Sequence, residues 1–284
     1  MLLGVQVSTE DGLLGAIKQA TRLGCNTIQI FARNPRQRRE EKELDLSRAK
    51  IFKKEIKRVG IKPLFIHMPY PVNLASPSDR LYYDSIKAYI EDIKEADGLG
   101  AEFLVSHLGS HKGQGEDFGI ERLSQALNII LDKTYDTKVN ILLENTAGSG
   151  FWLGYRFKHH SAILKKINQK RRVGICLDTC HAYVAGYDLS KEEGINAMLR
   201  EIDEEVGLEK LKLIHLNDAK DECGSHRDRH ADIGKGKIGR ESMKAIVNHP
   251  RLKDLPFILE TPKKDERDDM RNLATVRELR DETG

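Results

Sequence analysis

Six short apolar runs in this 284-residue chain each end on a side chain able to bind a metal: KPLFIH on His67, EFLVSH on His107, NILLE on Glu144, VGICLD on Asp178, LKLIH on His215 and PFILE on Glu260. Imidazole nitrogens and carboxylate oxygens at this density suit divalent ions of the zinc or manganese kind. The same vocabulary continues beside them. DTCH adds His181 close behind Asp178 in a tight turn, and DRH places Asp228 and His230 on one side of an extended segment. Nine nitrogen and oxygen ligands without a thiolate exceed what a single tetrahedral zinc can use, and three clustered divalent ions would account for them. One carboxylate should bridge two ions, with Glu144 and Glu260 as candidates. A buried His or Asp at a single strand end is more often a hydrogen-bonded structural residue. Six in succession are the reason to read metal chemistry here.

Residues on separate strands can share a metal only if the fold brings the strand ends together. The six run ends are 34 to 45 residues apart, room for a strand, a loop and a crossover helix in each interval. Two further β-branched or apolar runs precede them, LLGVQVS at 2–8 and TIQIF at 27–31. Eight strands predict a single (β/α)8 TIM barrel over residues 1–284, with the metal site at the C-terminal ends of its strands. Helices are expected at 12–23, 42–59 and 80–99, each stopped by a glycine suited to a left-handed cap, Gly24, Gly60 and Gly100. The third should start with Ser76 as N-cap, Pro77 at the first helical position and Asp79 favouring the helix dipole. A doubly wound open sheet has the same βα rhythm, but it would splay the six ligands along an edge, whereas a barrel rings them around one pocket.

Length suits one barrel domain, and there is no apolar stretch of membrane-spanning length, charged-then-apolar leader or low-complexity tract, so no membrane partner and a cytoplasmic location are expected. Cys25, Cys176, Cys180 and Cys223 form no C-x-x-C pair, and we read them as buried free thiols. A net charge of +3 is too small to identify a nucleic-acid partner, and the charged fraction of 32% is of the kind found in heat-tolerant proteins.

Longer motifs carry a family resemblance. ENTAGSG at 144–150, CLDTCHAYVAGYD at 176–188, and HLNDAK followed by DRHADIGKGKIG within 215–239 resemble endonuclease IV, the apurinic/apyrimidinic-site endonuclease of DNA base-excision repair. The likeness runs from GVQVS near the N-terminus to ILET at 258–261, nearly the whole chain. It implies a TIM barrel with three Zn2+ ions, Mn2+ being possible at one or more positions, that acts as a monomer on double-stranded DNA. The reaction implied is hydrolysis of the phosphodiester 5′ of an abasic site, leaving a 3′-hydroxyl and a 5′-deoxyribose phosphate. The ligand sets implied are His67, His107 and Glu144 for the first ion; Asp178, His215 and Glu260 with bridging Glu144 for the second; and His181, Asp228 and His230 for the third. Clustered divalent ions suit phosphodiester cleavage, because they activate water near neutral pH and stabilise both the attacked phosphate and the leaving oxygen. Glu144 or Glu260 would also orient the nucleophile, and the sequence leaves that division open.

Finding a missing base and turning its sugar out of a duplex calls for other residues. FARNPRQ at 31–37 and HMPYPVNL at 67–74 resemble the family's DNA-recognition loops, with Arg36 and Tyr70 at the positions that insert at the lesion. The chain departs from the family in having Pro71 where an apolar wedge is commonly leucine, and Arg38 where an aromatic often follows RQ. Proline can still wedge between base steps, and Arg38 would add a phosphate contact alongside Arg33 and Arg39. The loop at 224–239 sets Arg229, Lys235 and Lys237 among glycines that let backbone approach phosphate. The bland reading of both basic stretches is an ordinary solvated loop. Asn145, Asn217 and Asp218 are expected to support the ligands. His111 and His226 lie near the site by sequence without matching a ligand position, and His159, His160 and His249 are expected at the surface. Two rivals remain: a divalent-metal sugar isomerase or epimerase on the same kind of barrel, which normally needs fewer ligands, and a DNA-damage binding protein without hydrolysis, which the complete ligand set disfavours.

Overall fold

The computed structural model describes residues 1–31, 46–69 and 72–280. Eight parallel strands close into a barrel: β1 (Leu2–Val7), β2 (Ile28–Phe31), β3 (Leu64–His67), β4 (Phe103–His107), β5 (Asn140–Glu144), β6 (Val173–Asp178), β7 (Leu211–His215) and, after a short antiparallel pair β8 (Asp218–Ala219) and β9 (His230–Ala231), the last barrel strand β10 (Pro256–Leu259). The ring runs β1-β10-β7-β6-β5-β4-β3-β2, so the open-sheet alternative is excluded.

The two-residue period of a strand sends alternate side chains to two different cores. One phase packs inside the barrel, where Phe65, Val105, Leu142, Cys176, Leu213 and Ile258 form a closed apolar cluster. The other phase, with residues such as Val5, Ile30, Ile66, Leu104 and Leu143, meets the surrounding helices. Two residues beyond Phe65, Val105, Leu142, Cys176, Leu213 and Ile258, the same inward phase arrives at His67, His107, Glu144, Asp178, His215 and Glu260. The plug of apolar side chains is therefore the floor of the site. Closure of the ring brings Gly4 opposite Ile258, and a Cβ at Gly4 would lie 1.8 Å from the Thr27 carbonyl oxygen, so only glycine fits that approach.

The helices follow the sequence closely. α1 is Gly12–Arg22, α2 is described as Leu46–Arg58 and α3 is Asp79–Leu99. Gly24, Gly60 and Gly100 have φ of 66°, 75° and 82°, the left-handed values expected of them. The start of α3 differs from expectation. Ser78 is the N-cap, its Oγ accepting from Leu81 N–H, while Ser76 Oγ accepts from Ser78 N–H in a turn that precedes the helix. Pro77 belongs to that turn, and Asp79 opens the helix with its carboxylate at the positive end of the dipole. Then come α4 (Glu116–Lys133), α5 (Phe157–Lys166), the short α6 (Thr179–Ala185), α7 (Glu192–Glu205), α8 (Arg240–Asn248) and α9 (Glu266–Leu279). No helix among the described residues is long and apolar enough to cross a membrane.

Two sequence expectations fail on α5 and in the loop before β9. His159 and His160 are buried, because they share the inward stripe of α5 with Phe157, Ile163 and Leu164, while His249 is half-buried against Asn196. Cys223 is exposed, unlike the buried Cys25, Cys176 and Cys180.

Candidate metal centre

Five of the six strand-end residues are the last residue of their strand, and Glu260 follows β10 directly. Parallel register puts them at one level: His107 pairs with Glu144, and Asp178 pairs with His215. The convergence is tight. Ligand atoms of His67, His107 and Glu144 lie within 4.8 Å of one another, as do those of Glu144, Asp178, His215 and Glu260, and those of Asp178, His181 and His230.

Glu144 is wholly buried at the middle of this set. Its Oε2 is 3.0 Å from His67 Nε2 and 3.8 Å from His107 Nδ1, whereas its Oε1 is 3.2 Å from His215 Nδ1 and 3.3 Å from His181 Nδ1. The two oxygens thus face different groups. Glu260 faces one only, with Oε2 3.5 Å from His215 Nδ1. Asp228 Oδ1 sits 3.2 Å from His181 Nε2 and 3.3 Å from His230 Nε2, and its half-exposed side chain forms the solvent edge of the cluster.

Electrostatics keep these groups in unusual states. Burial alone would raise the Glu144 pKa, yet the imidazoles of His107, His215 and His181 hold it well below the usual carboxylate range. Burial pushes His107 down to about 4, with His67 and His181 adding to the effect. Burial opposes protonation of His230 as well, but its bond to Asp228 and the charge of Asp178 outweigh that and raise it to about 9. An anionic carboxylate ringed by imidazoles is a ready-made receptor for cations.

Four histidines have one ring nitrogen committed to an acceptor outside the cluster. His67 Nδ1–H donates to Met68 O at 2.9 Å, His181 Nδ1–H to Asn145 O at 3.0 Å and His230 Nδ1–H to Glu260 O at 2.9 Å. His215 is turned the other way, Nε2–H donating to Gln29 Oε1 at 2.9 Å. Each bond fixes the orientation of the ring and turns the second nitrogen toward the cluster, where a cation that displaced its proton would meet a lone pair, the arrangement metal-binding histidines require.

The expected supporting residues divide. Asn145 accepts from Asp178 N–H at 2.7 Å and donates to Asp178 O, while Asn217 donates to Asp178 Oδ2 at 2.6 Å and accepts from Glu260 N–H at 2.9 Å. Asp218 does something else. Its buried carboxylate gathers N–H groups of Ala219, Gly236, Ile238 and Gly239, folding the glycine-rich loop beside β9. A Cβ at Gly236 would come 2.4 Å from Asp218 Oδ1, which is why that position is glycine.

A family profile described as a xylose isomerase-like TIM barrel matches residues 17–280. "Probable endonuclease 4" of Halothermothrix orenii is 43% identical over 268 residues, 94% of this chain and 96% of that protein. The protein of the same name in Methanoculleus marisnigri is 43% identical over 279 residues, 98% and 99% of the two chains. The chain belongs to the endonuclease IV family. The solved endonuclease IV from Thermus thermophilus superposes with a TM-score of 0.86 at 34% identity over 98% of both chains. A D-tagatose 3-epimerase-like protein matches at a TM-score of 0.76 but only 20% identity, covering 98% of this chain and 97% of that one, a likeness of fold alone.

Of the residues that the sequence puts forward as DNA contacts, Arg36, Tyr70 and Pro71 lie outside the described residues, as do Arg33, Arg38 and Arg39. The others are about half exposed or more and already paired: Arg229 forms a two-pronged bond to Asp221 at 2.5 and 2.6 Å, Lys235 lies 3.6 Å from Asp232, and Lys237 lies 2.5 Å from Glu222. A phosphate would have to displace those carboxylates. His111 and His226, without a ligand role, line one polar cavity of about 280 Å³ together with Glu116, Trp152, Tyr155 and Arg156. Trp152 also packs its ring against His107. Sequence reasoning missed Gln29, whose only signal was a long polar side chain inside the otherwise apolar strand TIQIF.

Proposed function

We propose that this protein is a DNA-repair endonuclease that hydrolyses the phosphodiester 5′ of an abasic site in duplex DNA, leaving a 3′-hydroxyl and a 5′-deoxyribose phosphate, and that it does so with three zinc ions. The observation that carries the reading is the set of four oriented histidines around buried carboxylates, His67 and His215 turned toward the anionic Glu144 and His181 and His230 toward Asp228. The donor set fits zinc: it is chiefly imidazole and carboxylate, with the buried Cys180 thiol beside Asp228 and His230, and gathers in groups of three and four. Manganese would fit the same oxygen-rich set at one or more positions.

His67, His107 and Glu144 would hold the first ion; Glu144, Asp178, His215 and Glu260 the second; His181, Asp228 and His230 the third, with Asp178 also within reach of this last group. Glu144, with one oxygen toward each of two groups, would serve as the bridging carboxylate, and Glu260 is the better placed to take up a proton or orient water, since one of its oxygens faces a single group. Divalent ions supply Lewis acidity toward phosphate and lower the pKa of water near neutral pH. The protein's share is to hold the ligands rigid over an apolar floor and to present Asp228 at the solvent edge, where a backbone phosphate arrives. Family relatives named as endonucleases support the DNA substrate, and Arg36, Tyr70 and Pro71 are the proposed lesion readers, with Arg229, Lys235 and Lys237 as phosphate contacts.

Incision of a duplex oligonucleotide carrying one tetrahydrofuran abasic analogue tests the reading, because that analogue cannot undergo β-elimination and cutting then requires hydrolysis. Zinc-loaded protein should cut 5′ of the analogue and leave a 3′-hydroxyl, and metal-stripped protein should not cut. No cleavage by folded protein with three ions bound would favour a sugar isomerase or epimerase.

A further inference from the structure

Six barrel strands bring a candidate ligand to the mouth, and two do not. On β1 and β2 the inward phase offers Gln6 and Gln29, which are register partners. Gln29 is wholly buried and makes two bonds to the cluster: Oε1 accepts from His215 Nε2–H at 2.9 Å, and Nε2 donates to Glu260 Oε1 at 2.6 Å. Gln6 makes no such bond, its amide atoms having no hydrogen-bond partner among the described residues.

The contrast with the other histidines gives Gln29 its meaning. His67, His181 and His230 are oriented by backbone carbonyls, which no side-chain substitution removes. His215 is oriented by a side chain, and of these four it is the one whose uncommitted nitrogen is Nδ1, 3.2 Å from Glu144 Oε1 and 3.5 Å from Glu260 Oε2. A side-chain amide meets both demands at once with two separate atoms, Oε1 accepting from the imidazole and Nε2 donating to the carboxylate. Reversing the amide would set donor against donor and acceptor against acceptor, so each bond enforces the other. Glu260 is left with Oε2 as its free ligand oxygen.

We propose that Gln29 is a positioning residue for the second metal, holding His215 as an Nδ1 ligand and Glu260 as a ligand through one oxygen. This rests on the three-metal reading above. Outer partners of metal ligands are worth about 10- to 100-fold in metal affinity, and the loss should fall on one ion of the three.

The experiment is release of zinc from loaded protein to a colorimetric chelator, followed in time, for wild type, Gln29→Met, Gln29→Glu and Gln6→Leu. Gln29→Met keeps length and apolar volume and removes both bonds; it should release one equivalent of zinc about 10- to 100-fold faster and the other two at wild-type rates. Gln29→Glu keeps an acceptor for His215 but opposes Glu260, and should fall between the two. Gln6→Leu alters the neighbouring strand at the same level and should behave as wild type. Nitrogen-15 NMR of zinc-loaded wild type should show His215 bound through Nδ1 with its proton on Nε2. Wild-type release curves for Gln29→Met, equal acceleration in Gln6→Leu, or an Nε2-bound His215 would each overturn the proposal. Wild-type protein that holds fewer than three zinc ions would instead overturn the metal reading beneath it. Melting curves of metal-stripped variants separate either result from misfolding.

Discussion

Glu144→Gln changes one oxygen to an NH2 group in a fully buried side chain of nearly unchanged volume, so the barrel should fold. What it removes is the negative charge that faces His67 and His107 through one oxygen and His215 and His181 through the other, at 3.0 to 3.8 Å. Counting ligands gives the size of the effect. The first group drops from three side chains to two, while the group with Asp178, His215 and Glu260 drops from four to three. Three protein ligands are what catalytic zinc sites use, and two are too few. Zinc content measured by mass spectrometry after gel filtration should therefore fall from three per chain to two. Losing one ion's stabilisation of the transition state, roughly 4 kcal/mol, should slow incision of the tetrahydrofuran duplex about 10³-fold. Glu260→Gln provides the contrast, because Glu260 belongs to one group and leaves three ligands behind. It should keep three zinc ions, so that its loss of incision reports the role of Glu260 toward water rather than a missing ion. Three ions retained in Glu144→Gln, with an unchanged rate, would refute the bridging geometry and the mechanism built on it.

Acid stability should report His160, whose pKa burial pushes down to about 3 while the unfolded chain keeps the ordinary value of 6.5. The unfolded state binds the extra proton first, so stability is lost as pH falls below about 6.5, and between pH 7 and pH 4 this amounts to about 3 kcal/mol. Denaturant melts of metal-stripped His160→Leu should lose less stability by about that margin over the same interval, and equal losses in both proteins would dispose of the argument. Asp218→Ala strands the N–H groups of Gly236, Ile238 and Gly239 and should cost about 3 kcal/mol, lowering Tm by about 6–12 °C; an unchanged melt would mean water replaces the carboxylate without cost. Arg36→Ala should weaken binding to lesion-containing duplex more than it slows single-turnover hydrolysis of bound duplex; the reverse pattern would remove Arg36 from lesion recognition.

The barrel was legible because its signal is repeated. Apolar runs at regular spacing, polar residues at their ends and glycines after the helices agree with one another, and each is a local consequence of strand, loop and helix geometry. That regularity brought out six of the nine candidate ligands, at or next to the ends of β3, β4, β5, β6, β7 and β10, while His181, Asp228 and His230 were marked by the short motifs DTCH and DRH. Where the reading failed, the cause was nonlocal. His159 and His160 look polar in sequence, but the stripe of α5 on which they stand faces the core. Asp218 sits between ligand-rich segments and resembles a supporting partner, but it turns toward the glycine loop.

By itself, then, the sequence determined which side chains are available at the mouth of the barrel, since two-residue alternation and strand length set where each run ends and which face its last residue takes. Tertiary structure alone decided how they are used. Which of Glu144 and Glu260 reaches the centre of a ring closed by strands far apart in the chain is set by closure, which places Glu144 between four imidazoles. The tautomer of His215 depends on Gln29, 186 residues away, which local pattern could mark only as an oddity in a strand. Hydrogen-bond direction is a property of atoms brought within about 3 Å, and only the folded chain brings them there.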